Sequence, residues 1–583
     1  MGEHGVSALE QGPTAAQVVG VIVESDVMVT MRDGVRLACD IYRPADGEPA
    51  PALIQRQPYD KVLAQAYVYD HPSVYARRGY VVVIQDSRGR YASEGEFYPL
   101  RSDDTDGYDT IEWCAAQSWC DGQVGSFGFS IPGVNQLLAA AERPPHLVAA
   151  AAGFYPRGMY ESFTHSGGTF GLAAVMDWAI LLAGHAAKRA SNESVLAEIG
   201  AAASACGKWP AAVPLRNMPL INIDGFLPFL RDYVDHPEAD EYWEEWNLEP
   251  RIPDVEVPCL HVSGWYDSFV PQTLKAYEAF VGEGKAEHRL LVGPWYHIPW
   301  TQQVGAIDYG DDAKNIVNQY QMAWFDAWLK NDRSALDALP MVRIFVTGEN
   351  RWRDYDAWPP PGATVEPWYL HSGGRANSLS GDGTMSPDAP VEEPPDFFLY
   401  CPHDPVPSMG GHSCCLPQSA PMGPMDQRPV EYRNDVLVYS SDVLDQSLFV
   451  AGEIQATLWA ATSARDTDFT VKLCDVHADG TSINLYEGVI RGRYREGLDR
   501  EVLLEPDRIY EFAIAVGAIC HVFQPGHRIR IEVSSSNFPA FDRNSNTGGD
   551  IAGEHVFDLV NASQTIFHDG PRPSRVDLPV VRD

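Results

Sequence analysis

Basic side chains are scarce in this chain: 43 Lys and Arg stand against 80 Asp and Glu, a formal charge of −37 at pH 7. Nucleic acid and anionic membrane both need a basic face, so neither is expected as a partner. The acidic residues are spread along the chain and read as a solvated surface. Long apolar runs are missing as well, and none approaches the ~20 residues of a membrane span. The stretch Met1–Pro13 holds no Lys or Arg and no apolar core, and Val18–Val23 is too short to supply one, so no targeting segment is expected. Val6 stands where a myristoylation signal wants Ser or Thr. The ten cysteines are scattered and none forms a Cys-x-x-Cys pair. That pattern indicates neither a zinc knuckle nor a disulfide scaffold, and the expectation is a cytoplasmic protein with reduced thiols. No metal and no cofactor are expected. Internal repeats are absent too.

Apolar and aromatic material is plentiful, with a hydrophobic content of 45% that includes 15 Trp, 26 Tyr and 22 Phe, enough for large cores. A chain of 583 residues exceeds one core, so two or three domains are expected. Residues 1 to about 20 are rich in Gly, Ala and Gln and are expected to be disordered. Val27–Pro44 reads as a hairpin turning at Asp33-Gly34. Ala52–Gln55 and Tyr80–Gln85 are continuous apolar runs, as in strands buried on both faces. Helices predicted over Ser73–Arg78 and Asp106–Gln117 complete the alternation of an α/β sheet.

From about residue 146 the pattern turns helical, with Ala- and Leu-rich stretches beginning at Gly168 and Asn192. Pro237 is placed to open a helix over Glu238–Trp246. The sheet pattern resumes at Cys259–Ser263 and Arg289–Val292, a helix is predicted over Asn315–Lys330, and Trp358-Pro-Pro-Pro361 reads as a linker. Beyond it, Glu453–Ala460, Asp468–Leu473 and Arg528–Val533 alternate apolar and polar as strands do. The expected organisation is an α/β domain over 21–145 and 251–357, a helical cap over 146–250 and a β-sandwich or jelly roll over 358–583.

One stretch organises the rest. Val124–Phe129 reads as a buried strand and Val134–Ala140 as a helix; between them Gly128-Phe-Ser130-Ile-Pro-Gly133 makes a sharp turn with a serine at its apex. Such a turn resembles a nucleophile elbow. Taken alone, a serine in a glycine-rich loop is most often only a turn residue. A nucleophilic serine also needs a histidine base, a carboxylate to orient it and donors for the oxyanion. Asp267 follows the strand at Cys259–Ser263, and His297 follows the strand at Arg289–Val292. Each singly reads as an ordinary turn residue. Jointly they stand in the order Ser, Asp, His, each after a predicted strand, which is the order of the α/β-hydrolase triad.

At these residues the chain resembles the hydrolases that include cocaine esterase, X-prolyl dipeptidyl peptidase and α-amino acid ester hydrolases. The matching motifs are Met31-Arg-Asp-Gly-Val-Arg-Leu37, Asp86-Ser-Arg-Gly-Arg-Tyr-Ala-Ser-Glu-Gly95, Asp106-Gly-Tyr-Asp-Thr-Ile-Glu-Trp113, Trp119-Cys-Asp-Gly-Gln-Val-Gly125, Trp324-Phe-Asp-Ala-Trp-Leu-Lys330, Gly423-Pro-Met-Asp-Gln-Arg428 and Ser536–Asn544. They run through nearly the whole chain. The resemblance implies an α/β-hydrolase domain with an inserted helical cap and a C-terminal all-β jelly roll. It implies Ser130 as nucleophile, His297 as general base and acid, and Asp267 as its orienting carboxylate. It also implies the Tyr59 hydroxyl and the backbone N–H of Ile131 as oxyanion donors, and Trp178 and Phe269 as aromatic walls of the substrate pocket. The last two read equally well as core residues. The chain departs from the family at Ser130-Ile-Pro-Gly133, where the usual pattern is Ser-Tyr-x-Gly. The backbone donor survives there, while a tyrosine lining the site is lost.

The function these readings imply is hydrolysis of an ester or amide of a small acyl substrate through an acyl-enzyme on Ser130. X-Pro dipeptidyl aminopeptidase chemistry, or acyl transfer to an acceptor other than water, would use the same triad. An inactive homologue acting as a binding module through its β-domain is the alternative from another class. The partner is a small-molecule ester or amide, and a homo-oligomer stays open.

Overall fold

The computed structural model describes residues 15–18, 20–63, 68–161, 163–189, 191–204, 214–218, 220–221, 227–415 and 417–582. They form two compact units: one of Met1–Ala152, Asp254–Pro258 and Asn318–Asp337, the other of Gly153–Pro253, Cys259–Val317 and Ala338–Asp583.

The first unit is built on a sheet of β1 (Ala15–Val18), β2 (Val21–Thr30), β3 (Arg36–Pro44), β4 (Ala50–Gln57), β5 (Val81–Asp86), β6 (Cys120–Phe129) and β7 (Leu147–Gly153), in the order β1-β2-β3-β5-β4-β6-β7. The expected hairpin is β2–β3, antiparallel, turning through Asp33-Gly34. Disorder to about residue 20 does not hold at Ala15–Val18, which pair with Val21–Glu24; residues 1–14 lie outside the described residues. β5 runs parallel to β4, and β4 parallel to β6. Every residue of β4 and β5 is buried, as parallel strands covered on both faces require. The covering helices are α1 (Pro72–Arg77), α2 (Asp103–Ala115) and α3 (Ile131–Ala141), joined by the helix Val317–Leu329. The Trp324 indole in that last helix donates to the Ala150 carbonyl at 2.9 Å. Asp103, Asp104 and Asp106 fall in the first turn of α2, where carboxylates oppose the helix dipole.

In the second unit a short ribbon of β8 (His165–Ser166) and β9 (Thr169–Phe170) precedes α4 (Leu172–Arg189), α5 (Glu193–Ser204) and α6 (Pro228–Asp235). The helix expected over Glu238–Trp246 is instead a 3₁₀ turn over Glu241–Trp246. Its N-cap, Asp240, accepts from the Tyr242 N–H at 3.0 Å. The residues before it are held extended from outside, since Pro237 O accepts from the Tyr160 hydroxyl and Ala239 N–H donates to Leu498 O. Then come β10 (Cys259–Tyr266), α7 (Val270–Glu283) and β11 (His288–Tyr296), with β10 and β11 parallel.

The C-terminal part is mostly β, with a 12-stranded sheet among the described residues. Its two longest strands, Leu448–Thr462 and Tyr510–Phe523, pair antiparallel. Phe469, Val471, Leu473, Ile514 and Val516 belong to one continuous core there. The Ser536–Asn544 motif finds a structural use in this unit. Asp542 accepts from Arg491 at 2.7 Å and from the Phe170 N–H at 3.0 Å, and the Asn544 amide donates to Asp466 and Asp468. Cys414 and Cys415, expected as thiols, are joined in a disulfide between neighbours in sequence. Among the described residues no helix is long and apolar enough to cross a membrane.

Candidate active site

In the first unit, β6 ends at Phe129 and α3 begins at Ile131, so Ser130 alone makes the turn. Its backbone sits at φ 65°, ψ −135°. A side-chain-bearing residue there costs about 1–3 kcal/mol, strain that persists only where the surroundings enforce it. The turn closes tightly: a Cβ on Gly128 would lie 2.6 Å from the Pro132 carbonyl oxygen, so only glycine fits. Pro132 stands in the first helical turn, where no N–H is needed. Ile131 opens the helix, and its N–H has no intrahelical acceptor. The strand, sharp turn and helix read from the sequence are all present.

Tyr59 lies half-buried in the loop after β4, and buried charges shape that loop. The Asp86 carboxylate accepts from the Lys61 N–H at 2.7 Å and the Ala92 N–H at 3.3 Å. Arg90 donates to the Pro58 carbonyl at 2.9 Å, while its guanidinium lies over the rings of Tyr91 and Phe97. Lys61 reaches Asp26 and Asp40 at 2.9 and 3.0 Å. One strand along, Arg56 holds Gln85 and both the carbonyl and carboxylate of Asp103, and its own carbonyl accepts from Asn135 of α3. Burial pushes the Asp86 carboxyl up to about 6, against the pull of the Lys61 and Ala92 N–H groups. Burial likewise draws Arg90 down to about 10, opposed by Tyr91 and Tyr59.

In the second unit the register of β10 against β11 pairs Tyr266 with Tyr296. The next residue on each strand is therefore Asp267 and His297, side by side at the carboxyl ends of neighbouring parallel strands. The His297 Nδ1 lies 2.8 Å from Asp267 Oδ1. Asp267 is 0% exposed and His297 3%. Asp267 Oδ2 is buried without a hydrogen-bond partner among the described residues. Burying a carboxylate so sparsely is costly. A Cβ on Gly264 would fall 2.3 Å from the Trp295 carbonyl oxygen, so glycine is needed for the two strand ends to approach.

Rings fix the imidazole. Phe269 meets His297 edge-on at 5.3 Å, and Phe154 at 6.2 Å. Phe154 stacks on Trp300 at 4.5 Å, and the Trp300 indole donates to the His297 carbonyl at 2.9 Å. Phe163 links Phe269 to Trp178, at 5.8 and 5.1 Å. Trp178 and Phe269 are thus both buried members of one ring chain that ends on His297. Sequence reasoning passed over Phe154, Phe163 and Trp300; a signal existed only for Trp300, three residues past the histidine. Of the predicted residues, Ser130, Ile131 and Tyr59 belong to the first unit, and Asp267, His297, Trp178 and Phe269 to the second.

Residues 33–299 match the family model of the X-Pro dipeptidyl-peptidase (S15 family), and residues 334–577 that of the X-Pro dipeptidyl-peptidase C-terminal non-catalytic domain. The cocaine esterase of Rhodococcus sp. (strain MB1 Bresler) is 41% identical over 572 residues, spanning 96% of this chain and 99% of the relative. The chain belongs to this family. An α-amino acid ester hydrolase structure matches at 26% identity with TM-score 0.82, covering all of both chains. An aminopeptidase from a marine sediment Thaumarchaeota archaeon matches at 25% identity with TM-score 0.80, covering 100% of this chain and 98% of that one. This member is a serine hydrolase with an α/β-hydrolase domain and a C-terminal β-domain. Its family motif Asp86–Gly95 is explained by the loop charges: Asp86 and Arg90 both hold the segment that carries Tyr59.

Proposed function

We propose that the chain is an esterase acting on small acyl esters, with Ser130, His297 and Asp267 as its catalytic triad. The observation that carries the reading is the strained backbone of Ser130 at φ 65°, ψ −135°, at the mouth of a buried helix. In this mechanism the Ser130 Oγ attacks the ester carbonyl carbon, and its proton passes to His297 Nε2. Asp267 on Nδ1 leaves Nε2 as the working nitrogen and stabilises the imidazolium as it forms. The negative charge on the carbonyl oxygen is met by the Ile131 N–H and the Tyr59 O–H. The imidazolium then protonates the departing alkoxide, leaving an acyl-enzyme. Water, deprotonated by His297, attacks that acyl group; the bond from the acyl carbon to Oγ breaks, the carboxylic acid leaves, and the imidazolium returns its proton to Ser130. Phe269 and Trp178 stand as aromatic walls for the acyl group, in keeping with the ring chain that ends on His297. The 41% identity to a cocaine esterase supports ester over amide substrates.

The S15 family match keeps X-Pro dipeptidyl cleavage as the competing reading. Turnover of a panel of p-nitrophenyl acyl esters against X-Pro p-nitroanilides separates the two, with the Ser130→Ala chain as background. Ester turnover exceeding X-Pro anilide turnover by orders of magnitude in kcat/KM is the expected result. Preference for the anilides would overturn the esterase assignment, and turnover of both by the alanine variant would overturn the triad.

A further inference from the structure

Three histidines and one aspartate converge at one end of the C-terminal β-domain, all within the second unit. Asp475 lies near the end of the strand Asp468–Val476, His477 opens the turn that follows, His521 is on Tyr510–Phe523, and His527 just precedes Arg528–Ser534. Pairing of Val476 with Arg528 brings His477 and His527 opposite each other one step beyond the ladder, and their rings stack at 4.7 Å. Side chains two apart on a strand share a face, so Asp475 and His477 point the same way. The Asp475 carboxylate lies 2.9 and 3.0 Å from His527 Nδ1, 3.2 Å from His521 Nε2 and 3.7 Å from His477 Nε2. Ligand atoms of Asp475, His477 and His527 all fall within 4.8 Å of one another.

These separations suit one small ion. Nitrogen and oxygen ligands about 2.0–2.1 Å from a tetrahedral centre stand about 3.3 Å apart, and the 2.9 Å from Asp475 to His527 and 3.7 Å to His477 bracket that spacing. The outer shell suits it too: His521 lies 3.2 Å from the Asp475 carboxylate through Nε2 and turns Nδ1 to the Thr347 hydroxyl at 2.9 Å, the kind of relay that orients a ligating carboxylate. A cavity of about 140 Å³, lined also by Tyr309, Thr347 and Asn350, opens beside the cluster. Asp475 and His521 are buried, whereas His477 is 37% exposed, which gives an ion a way in. The one other group of this kind among the described residues, Glu431, Cys474 and Glu532, is already neutralised by Arg530 and Lys472.

We propose that Asp475, His477 and His527 form a structural site for one divalent transition-metal ion of the zinc class, with His521 holding the Asp475 carboxylate from behind. Two imidazoles and one carboxylate favour Zn²⁺, Co²⁺ or Ni²⁺ over Mg²⁺ and Ca²⁺, which take oxygen ligands. With water in the fourth position, the ion ties the turn after Asp468–Val476 to the start of Arg528–Ser534. The site departs from the expectation of no metal, and it stands independently of the triad.

The test uses the full-length chain purified without a polyhistidine tag and stripped with a chelator. Titration with Co²⁺ is expected to saturate at one equivalent with the visible absorption of a tetrahedral complex, and one equivalent of Zn²⁺ should displace it. The apparent melting temperature should rise with Zn²⁺ concentration. His477→Ala and His527→Ala, both at partly exposed positions, should each weaken Zn²⁺ binding at least tenfold, and loss of the outer-shell bond in His521→Ala roughly 10–100-fold. His146→Ala, an exposed histidine in the first unit, should change nothing. Absence of stoichiometric Co²⁺ or Zn²⁺ uptake by the parent chain would overturn the proposal. So would uptake that persists undiminished in the His477→Ala/His527→Ala chain, which would mark Asp475 as a hydrogen-bond hub only.

Discussion

The two units hold their candidate catalytic residues by different means. In the first, close packing of Gly128 against Pro132 holds Ser130 in its strained turn, and buried charges on Lys61, Asp86 and Arg90 hold the Tyr59 loop. In the second, strand register sets Asp267 beside His297, and aromatic rings wall the imidazole. On the proposed roles, the difference follows from the chemistry asked of each part. An oxyanion donor must be fixed before charge develops, and a network of ion pairs stiffens a loop that has no regular structure. A base must accept a proton and give it back, so apolar rings hold it without competing for its nitrogens.

The sharpest way to break this comparison is at the carboxylate of the second unit. Asp267→Asn is expected to lower kcat about 10⁴-fold, because an amide N–H facing Nδ1 imposes the wrong tautomer. Thermal unfolding should shift little, since the side chain keeps its shape. A loss under tenfold would show that the register-built pair is structural.

Tyr59→Phe probes the charge-held loop and should cost about 10²–10³ in kcat with KM nearly unchanged, the signature of a bond made mainly in the transition state. Steady-state kinetics decide it. A kcat within a few-fold of the parent would move the second oxyanion donor elsewhere.

The smallest effect is on stability and lies in the β-domain, where a charged cluster does the holding. Burial opposes the charge on His568, yet the hydrogen bond and charge of Asp396 at 2.9 Å, with Glu393 at 3.1 Å, raise its pKa above the ordinary 6.5. Asp396 is lowered in turn, its burial outweighed by donors that include His568. A raised histidine contributes stability that is fully present below the unfolded value of about 6.5 and is lost as pH rises through the folded one. Urea midpoints of the parent should therefore lose this contribution above pH 6.5, and His568→Gln should remove that part of the pH dependence. An unchanged profile in the variant would contradict the assignment.

Much of the fold was legible in the sequence. Tyr80–Gln85 and Ala52–Gln55 announce buried parallel strands through unbroken apolar runs, and Gly128 with Pro132 announces the elbow. The meeting of Asp267 and His297 was legible because each directly follows a strand. The charge network was not: Arg56 and Asp103, or Lys61 and Asp26, are ordinary surface charges until the sheet brings them together. The helix read over Glu238–Trp246 yielded to hydrogen bonds with the Tyr160 hydroxyl and the Leu498 carbonyl, partners that local propensity does not see. His477, His521 and His527 come from three elements at spacings no short motif covers.

Labelling with a fluorophosphonate, read by intact mass and peptide mapping against residual ester turnover, tests the central claim most directly. The account predicts one adduct per chain, on Ser130, with turnover falling in step with labelling and no adduct on the Ser130→Ala chain. An adduct on another residue, or full turnover by a chain completely labelled at Ser130, would contradict it.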